Sequence, residues 1–551
     1  MEPHASRKYP LIQMKLTRSL ILPLLSLLLG STASFPGPSL ASELSKDMKK
    51  ALNELPEKAL TLELIVGQAI QHADQFKAIL ADEQKVASPY LNALAQLDPR
   101  FFVKASRGDN QNDMTGFFIT DFQKQTEIGF GIMKKFDLGT EFSADVTYRD
   151  SASQFTSFSQ SGIPSSQLIQ FQEAVGTVRV KQSLWKDAFG YATRASVESG
   201  EKATLLAANQ LQMELEAGVE SLIELYYTAW RLKSSVIAAK ANFERQKRLL
   251  KITKIKTNRG TAEAPDLYQI QNSWTAAKLG YSDAKKALQE IWRELVVSVK
   301  LPSEWAEVDA TLIPMKIDDP TDQAKAHCGN VETMNAPPSG NARLNLAKAR
   351  MEAAALQETV ARSQRNPDLY LEGTLSSNGQ DPNSFGTAAG EFLASDNPAW
   401  AVEVGLELPL GGMASRAALR EALAEREKAD ALHSQAIADN QLDWTNLCQD
   451  FYRLKDLMND LETTYQNQLK RVELEEKRFR IGRIPTINVV TAGIDATDAE
   501  LRYLKAKKDI RVVAWKILRM TGQMRTILEE LTQQSLTIKN PTEPSETPGA
   551  S

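Results

Sequence analysis

The sequence contains few of the residues on which catalysis and metal binding usually depend. Its 551 residues include two cysteines, Cys328 and Cys448, and four histidines, one of which is His4 near the N-terminus. His327 and Cys328 are neighbours, but a metal site needs further ligands that the nearby sequence does not supply. The sequence has no Gly-rich phosphate loop, nucleophile elbow or cluster of histidines and carboxylates. We therefore expect neither an enzyme nor a bound metal or cofactor.

The sequence also lacks an excess of positive charge and, after its N-terminal segment, a long apolar run. The formal net charge is -4, so no basic footprint for nucleic acid is predicted. A transmembrane helix needs about 20 predominantly apolar residues, and no such run follows position 41. Any membrane crossing would have to be made by β-strands in a closed barrel, because backbone polar groups in hydrocarbon must all be paired.

Residues 1–41 have the pattern of a secretory signal peptide. Lys15 and Arg18 precede the apolar run Leu20–Leu29, and small residues follow up to position 41. Met14 is an alternative start, because the residues before it add nothing that a signal needs. We expect export, followed by cleavage after position 41. In an oxidising compartment the two cysteines could form a disulfide, although the sequence alone does not establish this pairing.

The rest of the chain contains one pattern twice. Lys256–Ile270 corresponds to Arg478–Ala492, and Gly260 corresponds to Gly482 at a spacing of 222 residues. In each copy a long run with helical periodicity meets the glycine and resumes beyond a proline, which is typical of two helices joined by a turn. Further residues match at the same spacing: Trp230 and Tyr452, Arg231 and Arg453, Tyr281 and Tyr503, Lys285 and Lys507. The pattern predicts a duplicated helix pair.

The first helix of each predicted pair is unusually long. About 70 helical residues would span about 100 Å, and their heptad spacing favours coiled-coil packing over a globular bundle. The predicted organisation has two structural repeats. The first, at 42–301, has a helix, strands at about 99–185 and a long helix pair at 190–300, and an inter-repeat linker follows at 302–340. The second, at 341–535, has a helix, strands at about 367–410 and a long helix pair at 412–531, and a disordered tail follows at 536–551.

Within each repeat, two segments alternate apolar and polar side chains with a period of two, as β-strands do. In the first repeat the alternation covers 136–149 and 173–184, and in the second it covers 369–374 and 400–408. The prediction is therefore four strands in each chain, or six if a further hairpin forms. The segment 107–135 leaves three alternatives open: longer strands, a wider barrel or a separate hairpin.

Each predicted strand has an apolar face and a charged face. The aromatic residues predicted to face lipid or its interface are Phe136, Phe142, Tyr148 and Trp400. The acidic residues predicted to line water are Glu141, Asp145, Glu173, Glu403 and Glu407. A half-buried strand of a soluble protein alternates in the same way, so the alternation alone does not distinguish the two. Single-chain bacterial barrels begin at eight strands, so transmembrane strands here would require several chains.

The order of these features, together with two short motifs, resembles the TolC family of outer-membrane efflux and secretion channel proteins. The motifs are Pro409-Leu410-Gly411-Gly412 after the fourth predicted strand and Phe479-Arg480-Ile481-Gly482-Arg483 at the second helix turn. The resemblance covers nearly all of the chain after the signal peptide. It implies an α+β membrane protein in which a homotrimer shares one transmembrane β-barrel, continued by a periplasmic tunnel of long antiparallel coiled-coil helices.

The resemblance also implies a function. Members of this family lie in the outer membrane and form the exit duct of a tripartite efflux pump or a type I secretion system. Their helical tips dock onto a periplasmic adaptor protein, and an inner-membrane transporter supplies the energy. We therefore expect a passive conduit that contacts outer-membrane lipid and is gated at its periplasmic tip. The transported substrate is not predicted.

The family places its gate at the two glycine turns. The residues that the resemblance assigns to this gate or to adaptor contact are Gly260, Asp266, Phe479, Gly482, Arg483, Asn488 and Thr491. Asp266 keeps the family's carboxylate, but Phe479 lacks the hydroxyl found at its position. Asn488 and Thr491 replace aspartates of the best-known member, so a strongly cation-binding ring is not expected. We hypothesise that Arg483 and Asp266 make the closing contacts, the alternative being that both touch only water or the adaptor.

A second function remains open from the sequence. An exported periplasmic coiled-coil scaffold or adaptor would also have a signal peptide and long helices. It would leave the four amphipathic strands and their aromatic residues without a role, and the compact β modules usual in adaptors are not evident in the sequence.

Overall fold

The structure is a computed structural model that describes residues 59–110, 118–158, 164–329, 337–338, 341–382, 384–394, 398–408, 410–524 and 526. The predicted signal peptide and the predicted C-terminal tail lie outside the described residues. Among the helices in these ranges, none combines the length and the apolar character that a membrane crossing requires.

The described part of the chain is mainly helical. In chain order the α-helices are α1 (Leu62–His72), α2 (Asp74–Asp82), α3 (Ser88–Leu94), α4 (Tyr191–Asn258), α5 (Ala264–Val299), α6 (Thr321–His327), α7 (Ala342–Gln364), α8 (Phe385–Ala394), α9 (Met413–Arg480) and α10 (Thr486–Met520). Short 3-10 segments cover Glu83–Lys85, Ala95–Leu97, Ala188–Gly190, Ser303–Glu307 and Ala310–Leu312. The helix predicted at the start of the first repeat is thus divided, and extended backbone at Ala73 separates its first two pieces.

The two long helix pairs repeat each other closely. Helices α4 and α9 have 68 residues each, and α5 and α10 have 36 and 35. Tyr191 and Met413, at which α4 and α9 begin, are 222 residues apart, and the same offset separates Ala264 and Thr486, at which α5 and α10 begin. The predicted fold class, an α+β chain with long antiparallel helix pairs, a β-sheet and an internal duplication, is confirmed.

The sheet contains the four strands that the sequence predicted and the additional hairpin that the sequence left open. Its strands are β1 (Arg100–Asn110), β2 (Phe118–Lys135), β3 (Thr140–Phe158), β4 (Pro164–Ser183), β5 (Asp368–Asp381) and β6 (Pro398–Glu407). They form one antiparallel sheet in chain order. Residues 100–110 and 118–135 therefore form an additional strand pair, β1–β2, and β2 pairs with β3 along almost its whole length.

Phe136 was predicted to lie in a strand, but it belongs to the turn between β2 and β3. Its backbone N–H donates to the Thr140 carbonyl at 2.8 Å, and the Gly139 N–H donates to the Phe136 carbonyl at 2.9 Å. Gly139 has a φ of 72°, a conformation that few residues other than glycine adopt without strain. The prediction was wrong because the turn Phe-Asp-Leu-Gly continues the apolar and polar alternation of the strands beside it.

The register of the sheet separates apolar from charged side chains. One row across the apolar face consists of Ile132, Ala144, Val178, Leu375 and Trp400. On the opposite face Glu127, Arg149 and Glu173 are aligned on adjacent strands, and Arg149 Nη1 donates to Glu173 Oε2 at 2.9 Å. The two faces of this sheet therefore require different surroundings, one apolar and one aqueous.

The main hydrophobic core lies where α1, α2 and the segment after α5 pack against α4 and α5. Tyr226 and Trp292 are fully buried there. The Tyr226 hydroxyl donates to the Leu60 carbonyl at 2.8 Å, and Trp292 Nε1 donates to the Trp305 carbonyl at 2.7 Å. The segment after α5 was predicted to be irregular, but short helical turns and these bonds hold part of it against the long helices.

A disulfide joins Cys328, which ends α6, to Cys448 in the middle of α9. Both cysteines are fully buried beside Trp444 and Phe451, and the Tyr452 hydroxyl donates to the Cys328 carbonyl at 2.9 Å. The disulfide answers the pairing question that the sequence left open. It attaches the segment between the two repeats to the second long helix.

Removing this disulfide is expected to lower the free energy of unfolding. It closes a loop with a sequence separation of 120 residues, and disulfides typically contribute about 2–4 kcal/mol by restricting the unfolded chain. The variant Cys328→Ala/Cys448→Ala should lose about this amount in a denaturant titration followed by circular dichroism. Wild-type protein that is kept reduced serves as the control and should match the variant. Equal midpoints for oxidised and reduced wild type would contradict the prediction.

Candidate functional site at the helical tip

Four helix ends meet at the end of the long helices that lies away from the sheet. Leu249 of α4, Ile270 of α5, Phe479 of α9, and Val489 and Val490 of α10 form one buried cluster, which we call the tip core. Because α4 and α9 both leave the sheet and run for 68 residues, the tip core lies about 100 Å from the strands.

The two helix pairs turn at Gly260 and Gly482 with the same hydrogen-bond pattern. The Gly260 N–H donates to the Thr257 carbonyl at 3.0 Å, and the Thr261 N–H donates to the Lys256 carbonyl at 2.9 Å. In the second copy the Gly482 and Arg483 N–H groups donate to the Phe479 and Arg478 carbonyls, both at 3.0 Å. These are Schellman motifs, in which a residue with positive φ ends the helix. The φ angles of the two glycines are 72° and 76°.

Phe479, which was predicted as a gate residue, is part of the tip core. Its side chain is buried, and Lys256 Nζ lies 4.0 Å from the centre of its ring. Lys256 Nζ also donates to the Phe479 carbonyl at 2.5 Å. A cation held over an aromatic face and bonded to a helix C-terminal carbonyl stabilises both groups. Phe479 therefore joins the two helix pairs within one chain.

The other predicted gate residues lie on the surface of the tip. Arg483, Asn488 and Thr491 are exposed, and Asp266 is half-buried in the first turn of α5. The side chains of Arg483 and Asp266 form no hydrogen bond or ion pair with the part of this chain that the structure describes. The closing contact that the hypothesis assigns to these two side chains is thus not formed within the chain.

A polar cluster lies next to the tip core, between α4, α9 and α10. Arg245 Nη1 donates to the Gly493 carbonyl at 3.3 Å, and its Nε is 3.6 Å from Glu476 Oε1. Glu500 lies close to Arg245 and is hydrogen-bonded to Tyr465. Burial raises the pKa of Glu500 and lowers the pKa of Arg245. These are the directions expected when charges are moved out of water.

Sequence reasoning missed Lys256, Arg245 and Glu500. Lys256 contacts a residue that is 223 positions away, and the polar cluster joins three helices. No local spacing in the sequence therefore identifies the Lys256 contact or the polar cluster. Lys256 begins the repeated segment, where a cation in the last turn of a helix is a common feature, but its aromatic partner could not be inferred from that position.

On the sheet, three of the four predicted lipid-facing aromatics share one face. Phe142, Tyr148 and Trp400 lie on the apolar face, whereas Phe136 is in the turn described above. Trp400 is 79% exposed in the single chain. Tyr148 is partly covered, because Phe385 of α8 packs edge-on against it with the ring centres 4.8 Å apart. Helix α8 therefore lies over part of the apolar face.

Comparison with known proteins identifies the fold. No family model and no curated protein match the sequence. Several solved structures do match. The outer membrane protein VceC from Vibrio cholerae is 14% identical, with 84% of this chain and 96% of that chain covered at a TM-score of 0.60. The outer membrane channel CmeC from Campylobacter jejuni is 13% identical, with 92% of this chain and 98% of that chain covered at a TM-score of 0.59.

The Neisseria gonorrhoeae MtrE outer membrane channel is similar as well. It is 12% identical, with 84% of this chain and 88% of that chain covered at a TM-score of 0.57. The fold of this chain is therefore that of outer-membrane channel proteins. The resemblance to the TolC family that the sequence predicted is confirmed at the level of the fold. At these identities the comparison concerns the fold and not the details of the tip.

Replacing either turn glycine with alanine is expected to destabilise the tip. A Cβ at Gly260 or Gly482 meets no neighbouring atom within 4 Å, so the cost arises from positive φ alone and should be about 1–2 kcal/mol. Hydrogen exchange of the amides next to the tip core should become faster in both variants. Gly280→Ala, at an open position inside α5, is the matched control and should stabilise the helix by up to about 1 kcal/mol. Unchanged exchange in the two turn variants would contradict the assigned turn conformation.

The polar cluster predicts a pH-dependent effect at Glu500. Its folded-state pKa lies above the ordinary value of 4.5, so its favourable contribution exists at low pH and is lost as the pH rises through the raised pKa. Glu500→Gln removes the cost of ionisation and should raise the thermal midpoint more at pH 8 than at pH 4. Asp498→Asn, an exposed change on the same helix, controls for the loss of one negative charge. A midpoint shift that is equal at both pH values would be inconsistent with this assignment.

Proposed function

We propose that the protein is an outer-membrane channel in which three copies share one β-barrel and a periplasmic helical tunnel. The observation that carries the proposal is the separation of faces on the six-stranded sheet. On β5 the face that carries the apolar side chains extends from Leu369 to Gly379, which are ten residue steps apart, or about 33 Å along the strand. At the usual barrel tilt this corresponds to about 25 Å in height, the size of the apolar band of outer-membrane barrels.

The opposite face supports a water-filled interior. It carries Glu127, Arg149 and Glu173 in one row, and Lys104 Nζ lies 2.7 Å from Glu127 Oε1. Charges of both signs in this arrangement are stable next to water and costly next to hydrocarbon. A periplasmic scaffold would leave the apolar face of the sheet in contact with water. The structure of the single chain therefore favours a membrane protein.

The proposed role is that of a passive exit duct for a tripartite efflux pump or a type I secretion system. In this role the protein lies in the outer membrane of a Gram-negative cell, contacts outer-membrane lipid and performs no catalysis. Its helical tips meet a periplasmic adaptor protein, and an inner-membrane transporter supplies the energy. Support comes from the fold shared with VceC, CmeC and MtrE and from the exposed tip surfaces, which leave room for partners.

The proposed gate is at the tip turns. Arg483, Asn488 and Thr491 are exposed on the second helix pair, and Asp266 lies at the start of α5. Because Arg483 and Asp266 find no partner among the described residues of their own chain, we assign their closing contacts to neighbouring copies. Phe479 is assigned instead to the core that holds each tip rigid.

The function is tested by planar-bilayer conductance of detergent-extracted protein whose oligomer mass is measured on the same sample. We expect discrete current steps from a trimeric species. The Arg483→Ala variant should pass more current than wild type, because a closing contact is lost. Lys470→Ala removes an exposed cation from α9, ten residues before the helix ends at Arg480, and should leave the current unchanged. A soluble monomer that does not conduct would overturn the channel, whereas an unchanged Arg483→Ala current would overturn only the gate.

A further inference from the structure

The sheet has two open edges of nearly equal length. Strand β1 has 11 residues and β6 has 10, and a transmembrane strand needs about 9–11. The apolar side chains on these edges are the most exposed of the face: Phe101 is 70% and Val404 is 69% exposed, against 42% for Ile132 on β2. An unpaired edge in hydrocarbon leaves a row of backbone groups without partners, which is not tolerated. Both edges therefore need a neighbour.

A single chain cannot supply that neighbour. Six strands are fewer than the eight with which single-chain barrels begin. In an antiparallel sheet ordered β1 to β6, the two edge strands run in opposite directions, so β6 of one copy can pair antiparallel with β1 of the next. We propose that these edges join with Glu403 opposite Lys104 and Glu407 opposite Arg100 of the neighbouring copy. This rests on the trimer of the proposed function and gives a barrel of eighteen strands.

Charge on the polar face selects this register. Within one chain, Glu403 lies directly opposite Glu372, and Glu407 lies directly opposite Asp368. Like charges in such positions are destabilising, and β6 has no partner on its other side to offset them. In one register each of the two glutamates lies opposite a cation of the neighbouring β1. This is possible because Glu403 and Glu407 are four positions apart, as are Arg100 and Lys104.

The cations are available for this contact. Arg100 is exposed and forms no ion pair with the described part of its own chain. Lys104 is half-exposed and paired with Glu127, and Glu403 accepts a hydrogen bond from the Tyr370 hydroxyl at 2.9 Å. The new contacts would extend an existing line of alternating charges from one copy to the next. The same register pairs all ten residues of β6 with residues of the neighbouring β1.

The tilt of the strands provides an independent check. The row that begins at Arg100 crosses Met133, Ser143, Arg179 and Thr374 and ends at Ala401. In the proposed register Ala401 lies opposite Ser106 of the next copy, six residues beyond Arg100. An offset of about 20 Å over six strand spacings of about 4.8 Å corresponds to a tilt of about 35°, within the observed range of about 35–45°.

Two other registers would form only one of the charge pairs. Placing Arg100 opposite Glu403 reduces the offset to two residues and the tilt to about 13°. Placing Lys104 opposite Glu407 increases the offset to ten residues and the tilt to about 49°. Both tilts fall outside the range of known barrels. Charge and geometry therefore select the same register.

The hairpin β1–β2 is consequently part of the wall. Without it the neighbour of β6 would be β3, and three copies would contribute twelve strands. Barrel diameter grows roughly linearly with strand number, so eighteen strands give a barrel about one and a half times as wide as twelve. The hairpin thus widens the outer-membrane opening and leaves four long helices per copy in the tunnel.

Cysteine cross-linking of the full-length protein tests the register. Ser106→Cys and Ala401→Cys, both at exposed positions on the polar face, would be directly opposite each other between copies. Partners in an antiparallel pair have Cα atoms about 4.5–5.5 Å apart, within the range that a disulfide spans. After oxidation with copper phenanthroline, most of the chain should run as covalent dimers and trimers on a denaturing gel without reductant.

Two sets of matched variants keep this test falsifiable. Phe102→Cys with Ala401→Cys is four residues out of register and should not cross-link. Ala401→Cys with Ser143→Cys, Thr147→Cys or Ser151→Cys on β3 should not cross-link either. Cross-links to β3 in a conducting trimer would overturn the eighteen-strand barrel and leave the channel intact. A monomer that neither conducts nor cross-links would overturn both proposals.

Discussion

The alternation of side chains across the six-stranded sheet is the constraint on which the rest of the structure depends. One face carries apolar side chains on every strand, and the other carries ion pairs such as Arg149 with Glu173. Hydrocarbon can cover the first face and water the second, but a single open sheet cannot keep the two media apart. Closure with further copies, as proposed above, would resolve this conflict, and the long helices would then continue the aqueous side. The proposed assembly and conduit function thus rest on the alternation of side chains along the strands.

The tip depends on a different balance of forces. Each Schellman turn directs the second helix of a pair back along the first, and the tip core joins the two pairs within one chain. Lys256 adds a charge-assisted contact to the Phe479 ring and carbonyl. On the surface of the tip, Arg483, Asn488 and Thr491 are exposed and Asp266 is half-buried. This combination suits the proposed gate, because polar surfaces between copies could separate while the tip core keeps each copy folded.

Much of the fold was predictable because the signals are local and repeated. The glycine turns place the ends of all four long helices, and the offset of 222 residues recurs in the structure. Strands β3 and β4 were predicted because their alternation is regular. Strand β2 remained an open alternative, because Gly129 and Gly131 stand where polar side chains would mark the second face. The burial of Phe479 and the pairing of Cys328 with Cys448 arise from contacts between distant segments, which periodicity does not encode.

The additional hairpin also indicates how the proposed barrel can be wider without a change in the helices. A hairpin adds two strands of opposite direction, so β4 still ends at the edge of the sheet where α4 begins. A single extra strand would reverse the direction of β4. The turn between β2 and β3 packs closely against the start of α4, where a Cβ on Gly190 would lie 1.8 Å from the Asp137 carbonyl oxygen. Gly190 has a φ of 76°, so glycine meets both the spatial and the conformational demand of this junction. Strand number is therefore free to change in pairs, provided that each new turn fits against the existing junction of strand and helix.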